Sequence, residues 1–346
     1  MSHIKLNTTV ATSEAFQLVL DSLSASLVPM LHGSPGIGKS DLLHAVAEHL
    51  NLKVIDIRLG QCDPTDMNGF PAKSACGKYS TYLPMDTFPL EDEPLPAGKD
   101  GWLILFDELP GAMKAVQDAA YKIILDRMVG QHHLHEKVHM VAAGNLATDG
   151  AIVNKMSTAL QSRMVHLVLE PRKDNWIDWA IKSGIDHRVI SFIEFADECF
   201  YDFDPKHTDL TYSCPRTLEM LSKLVAPWAT IPREKSPLIQ GTIGQGAGTK
   251  FVGYCEVFAS LPTLAEILKD PMGAKLSKDP ATAWATTGLI HPNIDSKNAS
   301  TLMKYVNRMS IEFQISTLKN AIRRDSSIMA LPEIQTWLQL NAAALA

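Results

Sequence analysis

This 346-residue sequence lacks the features that mark several protein classes. No apolar run approaches the ~20 residues that a membrane-spanning helix needs, and the first residues lack the apolar stretch of a signal peptide. The five cysteines are scattered without C-x-x-C spacing, so they fit buried thiols in a reducing compartment better than a disulfide framework. Internal repeats and low-complexity tails are also absent. We therefore expect a cytoplasmic globular protein without a membrane span.

An excess of basic residues is missing too. Lys and Arg number 32 against 38 Asp and Glu, which gives a formal net charge of −6. A protein that coats nucleic acid non-specifically needs a dense cationic face, so this class is disfavoured, although a local basic site stays open. The length fits about two domains of roughly 100–200 residues each, and the 46% hydrophobic content is typical of a folded chain.

The first 170 residues alternate between short apolar runs and helical patterns. The alternation predicts a parallel sheet with helices on both faces. The third run is apolar throughout, as expected of a strand that is buried on both faces. Five strands are predicted, near residues 27–32, 53–59, 102–106, 138–143 and 164–169. Beyond Pro171 the patterns are helical, with Pro/Gly-rich breaks at 226–248 and 270–292, so we place a domain boundary near that proline.

The strongest motif follows the first of these strands. It fits G-x-x-x-x-G-K-[ST] and reads Gly33-Ser34-Pro35-Gly36-Ile37-Gly38-Lys39-Ser40. The glycines allow backbone N–H groups to surround a phosphate, and the helix that follows points its positive end at the same anion. Lys39 supplies a positive charge to the outer phosphates, and Ser40 supplies a hydroxyl for Mg²⁺. These residues together with Asp41 form the predicted nucleotide-binding set.

A carboxylate pair follows the fully apolar strand. Asp107 and Glu108 come directly after residues 102–106, at the carboxyl end of the strand, where open α/β sheets bind ligands. We expect Asp107 to hold Mg²⁺ through water and Glu108 to orient and polarise the attacking water. The alternative is a solvated acidic pair that caps the next helix.

Together with the segments that follow, these two motifs resemble the AAA+ ATPases, and within them the MoxR-like group. Val141–Asn145 resembles the sensor 1 strand, with Asn145 at its tip. Ala159–Met164 resembles the segment A-L-x-x-R-F, with methionine in place of the final phenylalanine. Cys214–Thr217 resembles the sensor 2 turn, and Asp63–Pro71 resembles the start of the helix-2 insert of this group.

The resemblance implies catalytic roles for four side chains. Glu108 is the residue that activates water, and Asn145 bridges this water and the γ-phosphate. Arg163 reaches the nucleotide of the neighbouring subunit, and such a trans arginine is worth ~10³–10⁵ in rate. Arg216 contacts the phosphates held by its own chain. Arg127 is the alternative candidate for the trans arginine.

The resemblance also implies an architecture and a task. We expect an AAA+ αβα core over residues 1–170, a helical lid over 171–265 and a C-terminal helical extension over 266–346. The cofactors are ATP (or GTP) and Mg²⁺, and the working state is a homo-oligomeric ring, most simply a hexamer. The expected work is remodelling or activation of a protein client, of the kind that carries a von Willebrand A domain. The alternative is a nucleic-acid motor or initiator that acts on DNA or RNA.

Three further patterns give weaker signals. His135–His139 spells H-E-x-x-H but runs into a predicted strand, where residues four apart lie about 13 Å from each other, so we expect no zinc site there. Gly241–Lys250 resembles a second phosphate loop without a preceding strand, which favours a flexible connection. Residues of the insert fit either a loop that grips a substrate or an exposed polar loop; they are Lys73, Lys78, Tyr79 and Tyr82.

Overall fold

The computed structural model describes residues 8–149, 154, 156–207, 209–258, 260–277 and 279–341. The chain divides into two compact units. Unit 1 ends at Arg172 and also includes Asp204–Lys206, and unit 2 contains Lys173–Phe203 and the chain from His207 onward.

Unit 1 is built on a parallel six-stranded sheet with the strand order β1-β10-β2-β9-β6-β3. Its strands are β1 (Thr9–Ala11), β2 (Val28–His32), β3 (Leu52–Arg58), β6 (Gly101–Asp107), β9 (Val138–Gly144) and β10 (Met164–Glu170). The parallel α/β prediction is confirmed, but the number of strands was wrong by one. The missed strand, β1, is only three residues long and pairs with the end of β10. A segment this short shows no alternation that a sequence pattern can detect.

Helices and two short hairpins complete unit 1. The helices are α1 (Thr12–Ser24), α2 (Lys39–His49), α3 (Pro64–Asn68), α4 (Lys114–Asp126) and α5 (Thr158–Gln161). The hairpins are β4 (Phe70–Lys73) with β5 (Ser80–Leu83), and β7 (Met128–Val129) with β8 (His132–His133). Every residue of β6 from Gly101 to Phe106 is buried, which confirms that this strand lies between two covered faces.

The topology brings three segments to one edge of the sheet. Strands β2, β9 and β6 are neighbours and run in parallel. The loop after His32, the pair at Asp107 and the residue after Gly144 therefore all follow carboxyl ends of adjacent strands, where ligands bind in open α/β sheets.

Unit 2 is helical, and its described residues contain no strand. Its helices are α6 (Lys173–Lys182), α7 (His187–Phe195), α8 (Pro215–Val225), α9 (Ser236–Ile243), α10 (Gln245–Phe258), α11 (Leu264–Lys269), α12 (Pro280–Ile290), α13 (Ala299–Val306), α14 (Ile311–Arg324) and α15 (Pro332–Leu340). It contains two hydrophobic clusters, one around Phe192 and Phe251 and one around Tyr305 and Trp337.

The two predicted breaks in this region are only partly present. Helices α8 and α11 end at Val225 and Lys269, where the breaks were placed, but the second part of each break is helical. Proline begins helices here rather than interrupting them, since it lies in the first turn of α9 and of α12. Gly244, with a φ of +88°, separates α9 from α10. Gly248 allows the two helices to approach, because a methyl group on it would lie 2.8 Å from Gln240 Cα. Gly248 therefore serves close packing and Gly244 the turn between two helices, so this segment is helical rather than a flexible loop.

Candidate active site

The predicted phosphate loop connects β2 to α2. Gly36 and Gly38 adopt left-handed φ angles of +80° and +91°, which residues with a side chain rarely adopt. Ile37 is buried, which fixes the middle of the loop to unit 1. The remaining predicted residues occupy the same loop or the first turn of α2; they are Gly33, Ser34, Pro35, Lys39, Ser40 and Asp41.

The ammonium group of Lys39 is held among oxygen atoms from two strand ends. Its Nζ donates to the carbonyl oxygens of Gly33 and Ser34 at 2.6 and 3.0 Å. It also donates to Oδ1 of Asn145 at 3.0 Å. The lysine is only 8% exposed, so its charge lies in a region where electrostatic interactions are stronger than in water. The structure therefore brings the predicted Lys39 and Asn145 into direct contact.

Asp107 and Ser40 supply a pair of oxygen atoms that can act as metal ligands. The Ser40 hydroxyl donates to Asp107 Oδ2 at 3.1 Å, which joins the first turn of α2 to the end of β6. A hydroxyl and a carboxylate are hard oxygen ligands of the kind that Mg²⁺ prefers. The donor set therefore fits the metal that the sequence implies.

Glu108 has an unusual backbone conformation. Its φ and ψ are +57° and +28°, in the left-handed region that costs a residue with a side chain about 1 kcal/mol or more. Its N–H donates to Asp107 Oδ1 at 2.9 Å, and a methyl group on Gly60 would lie 2.7 Å from its Oε2. The sharp turn therefore directs the two adjacent carboxylates differently, with Asp107 toward Ser40 and Glu108 toward Gly60.

Gly144 allows the end of β9 to lie against the segment that follows Glu108. A methyl group on Gly144 would lie 2.6 Å from Pro110 Cγ, closer still to Cδ, and 3.2 Å from Met30 Cε. Its carbonyl oxygen accepts a hydrogen bond from Gly33 N at 3.3 Å. One glycine therefore contacts both the phosphate loop and the carboxylate turn, immediately before Asn145.

Sequence reasoning missed a third carboxylate at this edge. Asp149 lies in a 3-10 turn after β9, where its Oδ1 accepts from the Ser34 hydroxyl at 3.1 Å and its Oδ2 from Leu146 N at 3.1 Å. It ties the loop after Asn145 to the phosphate loop. The only signal in the sequence was its place shortly after a strand, which many acidic residues share.

The two candidate trans arginines have different surroundings. Arg163 is exposed, donates to the Ala159 carbonyl and the Ser162 hydroxyl at 3.1 and 3.2 Å, and lies 5.4 Å from the centre of the Tyr121 ring. Arg127 donates instead to the carbonyls of His135 and Val138 at 3.2 and 2.8 Å, and burial lowers the pKa of its guanidinium. Arg127 thus holds the backbone that leads into β9, which favours Arg163 as the arginine offered to another molecule.

The remaining predicted residue, Arg216, lies in unit 2. It is exposed in the first turn of α8, directly after Pro215. Cys214 precedes this helix, and its N–H donates to the Thr217 hydroxyl at 2.9 Å. The segment predicted as the sensor 2 turn is therefore the start of a helix in unit 2, with Arg216 on its first turn.

The H-E-x-x-H pattern does not form one helical face. His135 precedes β9, its Nδ1 accepts from Lys137 N at 3.0 Å, and His139 lies within the strand. In the described part of the chain, no group of three or more His, Cys, Asp or Glu side chains is arranged to hold a metal ion. Within the same residues, no helix is both long and apolar enough to cross a membrane.

The fold and the arrangement of the loop, the lysine and the carboxylates define a P-loop α/β nucleotide-binding unit. Residues 29–164 match the family model described as the AAA domain of the dynein-related subfamily. This segment runs from β2 to the start of β10 and contains Lys39, Asp107, Asn145 and Arg163. It is therefore an AAA domain, and it makes up less than half of the chain.

Similarity to whole proteins is weak. The RuvB Holliday junction branch migration motor of Thermotoga maritima is 15% identical with a TM-score of 0.33, over 82% of this chain and 69% of that chain. A proline-to-glycine mutant of Thermotoga maritima RuvB is 14% identical with a TM-score of 0.36, over 98% of this chain and 91% of that chain. No curated protein matches the sequence significantly. None of these likenesses indicates a substrate or a partner.

Proposed function

We propose that this protein is an ATP-hydrolysing AAA+ protein of the MoxR-like group. The observation that carries the proposal is the convergence of Lys39, the Ser40–Asp107 pair and Asn145 at one edge of the sheet, within hydrogen-bond distances of 3.0 and 3.1 Å. A lysine, a hydroxyl-carboxylate pair and a polar amide are the groups that phosphoryl transfer from a nucleotide to water requires.

Each group has a chemical task in this reaction. The backbone of the loop binds the phosphates, and Lys39 neutralises charge that develops on the outer ones. Glu108 orients a water molecule for attack and accepts its proton, while Asn145 holds that water against the terminal phosphate. Ser40 and Asp107 would hold Mg²⁺, which when bound neutralises phosphate charge. The products are ADP and phosphate; GTP is the alternative nucleotide.

The site is completed by a second copy of the chain in this proposal. Arg163 is exposed, so it is available to the nucleotide of a neighbouring subunit, as in a hexameric ring. Arg216 contacts the phosphates of its own chain from the helical lid. We assign the lid to residues 171–265 and an extension to 266–346. The two hydrophobic clusters of unit 2 follow this division except at α12, which contributes Ala285 to the first cluster and Ala283 to the second.

A protein client is the proposed substrate of this motor, of the kind that carries a von Willebrand A domain. The hairpin β4–β5 is the proposed contact, because its exposed side chains include Phe70, Tyr79, Tyr82 and Leu83 at 44–72% exposure. The net charge of −6 modestly favours a protein over a polynucleotide.

The decisive experiment compares the wild type with Glu108→Gln. The wild-type protein should release phosphate from ATP in the presence of Mg²⁺. The variant should bind ATP with similar affinity but hydrolyse it at least 100-fold more slowly, because the general base contributes ~10²–10⁴ to such reactions. Normal turnover by the variant would overturn the assignment of the carboxylate pair.

The ring is tested by mixing two inactive variants. Arg163→Ala subunits keep a complete nucleotide site, and Lys39→Ala subunits keep the arginine. Activity should appear in the mixture and in neither variant alone. If the mixture is inactive at every ratio of the two variants, Arg163 is excluded as a trans arginine.

One observation favours the alternative client. The same hairpin carries Lys73 and Lys78 beside Tyr79 and Tyr82, and cationic and aromatic side chains together form a stacking surface for single-stranded nucleic acid. Stimulation of the ATPase by single-stranded DNA or RNA, lost in Tyr79→Ala, would replace the protein client by a polynucleotide.

A further inference from the structure

Two histidines lie between the phosphate loop and the segment that carries Arg163. His32 is the last residue of β2, directly before Gly33, and His166 lies on the paired strand β10. His32 Nε2 and His166 Nδ1 are 2.8 Å apart, and the two rings stack with their centres 5.1 Å apart. The other nitrogen of His166, Nε2, is 2.8 Å from the carbonyl oxygen of Gln161.

The carbonyl group fixes the direction of these hydrogen bonds. A carbonyl oxygen can only accept, so His166 Nε2 must carry the proton that it shares with Gln161. Nδ1 of a neutral His166 is then an acceptor, and His32 Nε2 must donate to it. Burial, His166 and Lys39 lower the pKa of His32 to about 4, so His32 is neutral near pH 7. The result is one directed chain from His32 through His166 to Gln161.

The chain ends at the last turn of the segment that holds Arg163. Gln161 is the final residue of α5, and Arg163 follows two residues later. The Arg163 guanidinium donates to the carbonyl of Ala159 in the same turn. The orientation of this turn therefore sets where the exposed guanidinium points, and the side chain of His166 bonds to the turn directly.

We propose that His32 and His166 are positioning residues that align the Arg163 turn with the phosphate loop of the same subunit. Neither histidine touches nucleotide; both act through the Gln161 carbonyl on the arginine that serves the neighbouring site. This inference rests on the proposed trans role of Arg163. It predicts that loss of His166 impairs the subunit that donates the arginine and not the subunit that hydrolyses.

The test uses the mixture of Arg163→Ala and Lys39→Ala subunits, in which all turnover occurs with an arginine from a Lys39→Ala chain. His166→Leu is added to one kind of subunit at a time. In the Lys39→Ala chain it should lower the rate of the mixture at least tenfold, since misplacement by about 1 Å costs ~10² in rate. In the Arg163→Ala chain it should change the rate less than twofold.

Three further measurements isolate the hydrogen bonds. His166→Gln in the donor chain should restore the rate to within about threefold, because a glutamine amide both accepts and donates. His166→Phe keeps a ring without these bonds and replaces His166→Leu if the latter fails to fold. His139→Leu is the matched control on strand β9, which lies on the other side of β2, and it should leave the rate of the mixture unchanged.

The outcomes separate this inference from the proposed function. Equal losses in both kinds of subunit would show a general structural role and overturn the inference, as would no loss in either. An inactive parent mixture beside an active wild type would instead show that Arg163 does not act in trans, and the inference would fall with that assignment.

Discussion

Gly144→Ala provides the sharpest test of how the site is assembled. The new methyl group would lie 2.6 Å from Pro110 Cγ and 3.2 Å from Met30 Cε, whereas carbon atoms in contact prefer about 3.5–4.0 Å. The end of β9 and the turn after Glu108 must therefore separate by about 1 Å. Because Asn145 and Glu108 lie on opposite sides of this contact, the separation moves apart the two groups that we propose act on the attacking water.

The expected result is a split between catalysis and binding. A displacement of about 1 Å at a catalytic group costs ~10² in rate, so kcat should fall about 100-fold. Nucleotide affinity should change less than tenfold, since the loop glycines and Lys39 keep their side chains. Overpacking should also lower the free energy of unfolding by about 1–3 kcal/mol. Steady-state phosphate release, binding of a fluorescent nucleotide and urea unfolding measure the three quantities.

Two variants control this experiment. Gly253→Ala adds a methyl group in α10 where nothing lies within 4 Å, so it should leave kcat unchanged. Pro110→Ala removes the Cγ and Cδ atoms that meet the new methyl group, so the double variant should recover most of the lost rate. A Gly144→Ala protein with wild-type kcat, or a double variant no better than the single one, would refute the packing argument.

Two other changes should have distinct effects. Lys39→Ala should weaken ATP binding about 100-fold, because hydrogen bonds to charged groups are worth about 1.5–3 kcal/mol each, and isothermal titration with a non-hydrolysable analogue measures this; unchanged affinity would contradict the lysine's role. His291 is 3% exposed, neither of its ring nitrogens has a hydrogen-bond partner among the described residues, and burial, His187 and Arg324 lower its pKa to about 3. The unfolded histidine takes up a proton near pH 6.5 while the folded one does not, so stability is complete above that pH and decreases as the pH falls toward 3. From pH 7 to pH 5 the loss of stability due to His291 should be about 2 kcal/mol, measured from the urea midpoint of unit 2 by tryptophan fluorescence. His291→Leu should remove this part and leave the smaller part due to His187, whose pKa burial also lowers. A pH slope as steep in the variant as in the wild type would contradict the assignment.

Local patterns predicted the parallel sheet of unit 1 and the loop at its edge, because these elements depend on short stretches of sequence. The apolar strand before Asp107 and the glycine spacing before Lys39 can each be recognised from fewer than ten residues. Contacts between distant segments were not predictable in this way. The Ser34–Asp149 hydrogen bond joins positions 115 residues apart, and the pair of His32 and His166 spans 134. Both contacts follow from the order of the strands in the sheet, which the hydrophobic periodicity of a single segment does not reveal.

In the helical unit 2, local residue types led to partly wrong predictions. Glycine and proline between 226 and 292 predicted breaks, yet Pro280 begins a helix and Gly248 permits close packing of two. The same residue types interrupt or support a helix according to position, and position is known only once the partner helix is in place.

The strand order has a consequence for behaviour in a concentrated solution. An edge strand presents backbone groups that can pair with another sheet and seed aggregation. One end of this sheet is β1, which is only three residues long. The other end is β3, where Lys53, Asp56 and Arg58 are exposed charged side chains on a seven-residue strand. A short edge strand and a charged edge strand both discourage hydrogen bonding between the sheets of two copies. Contacts between copies of this chain are therefore expected to involve side chains rather than paired edge strands.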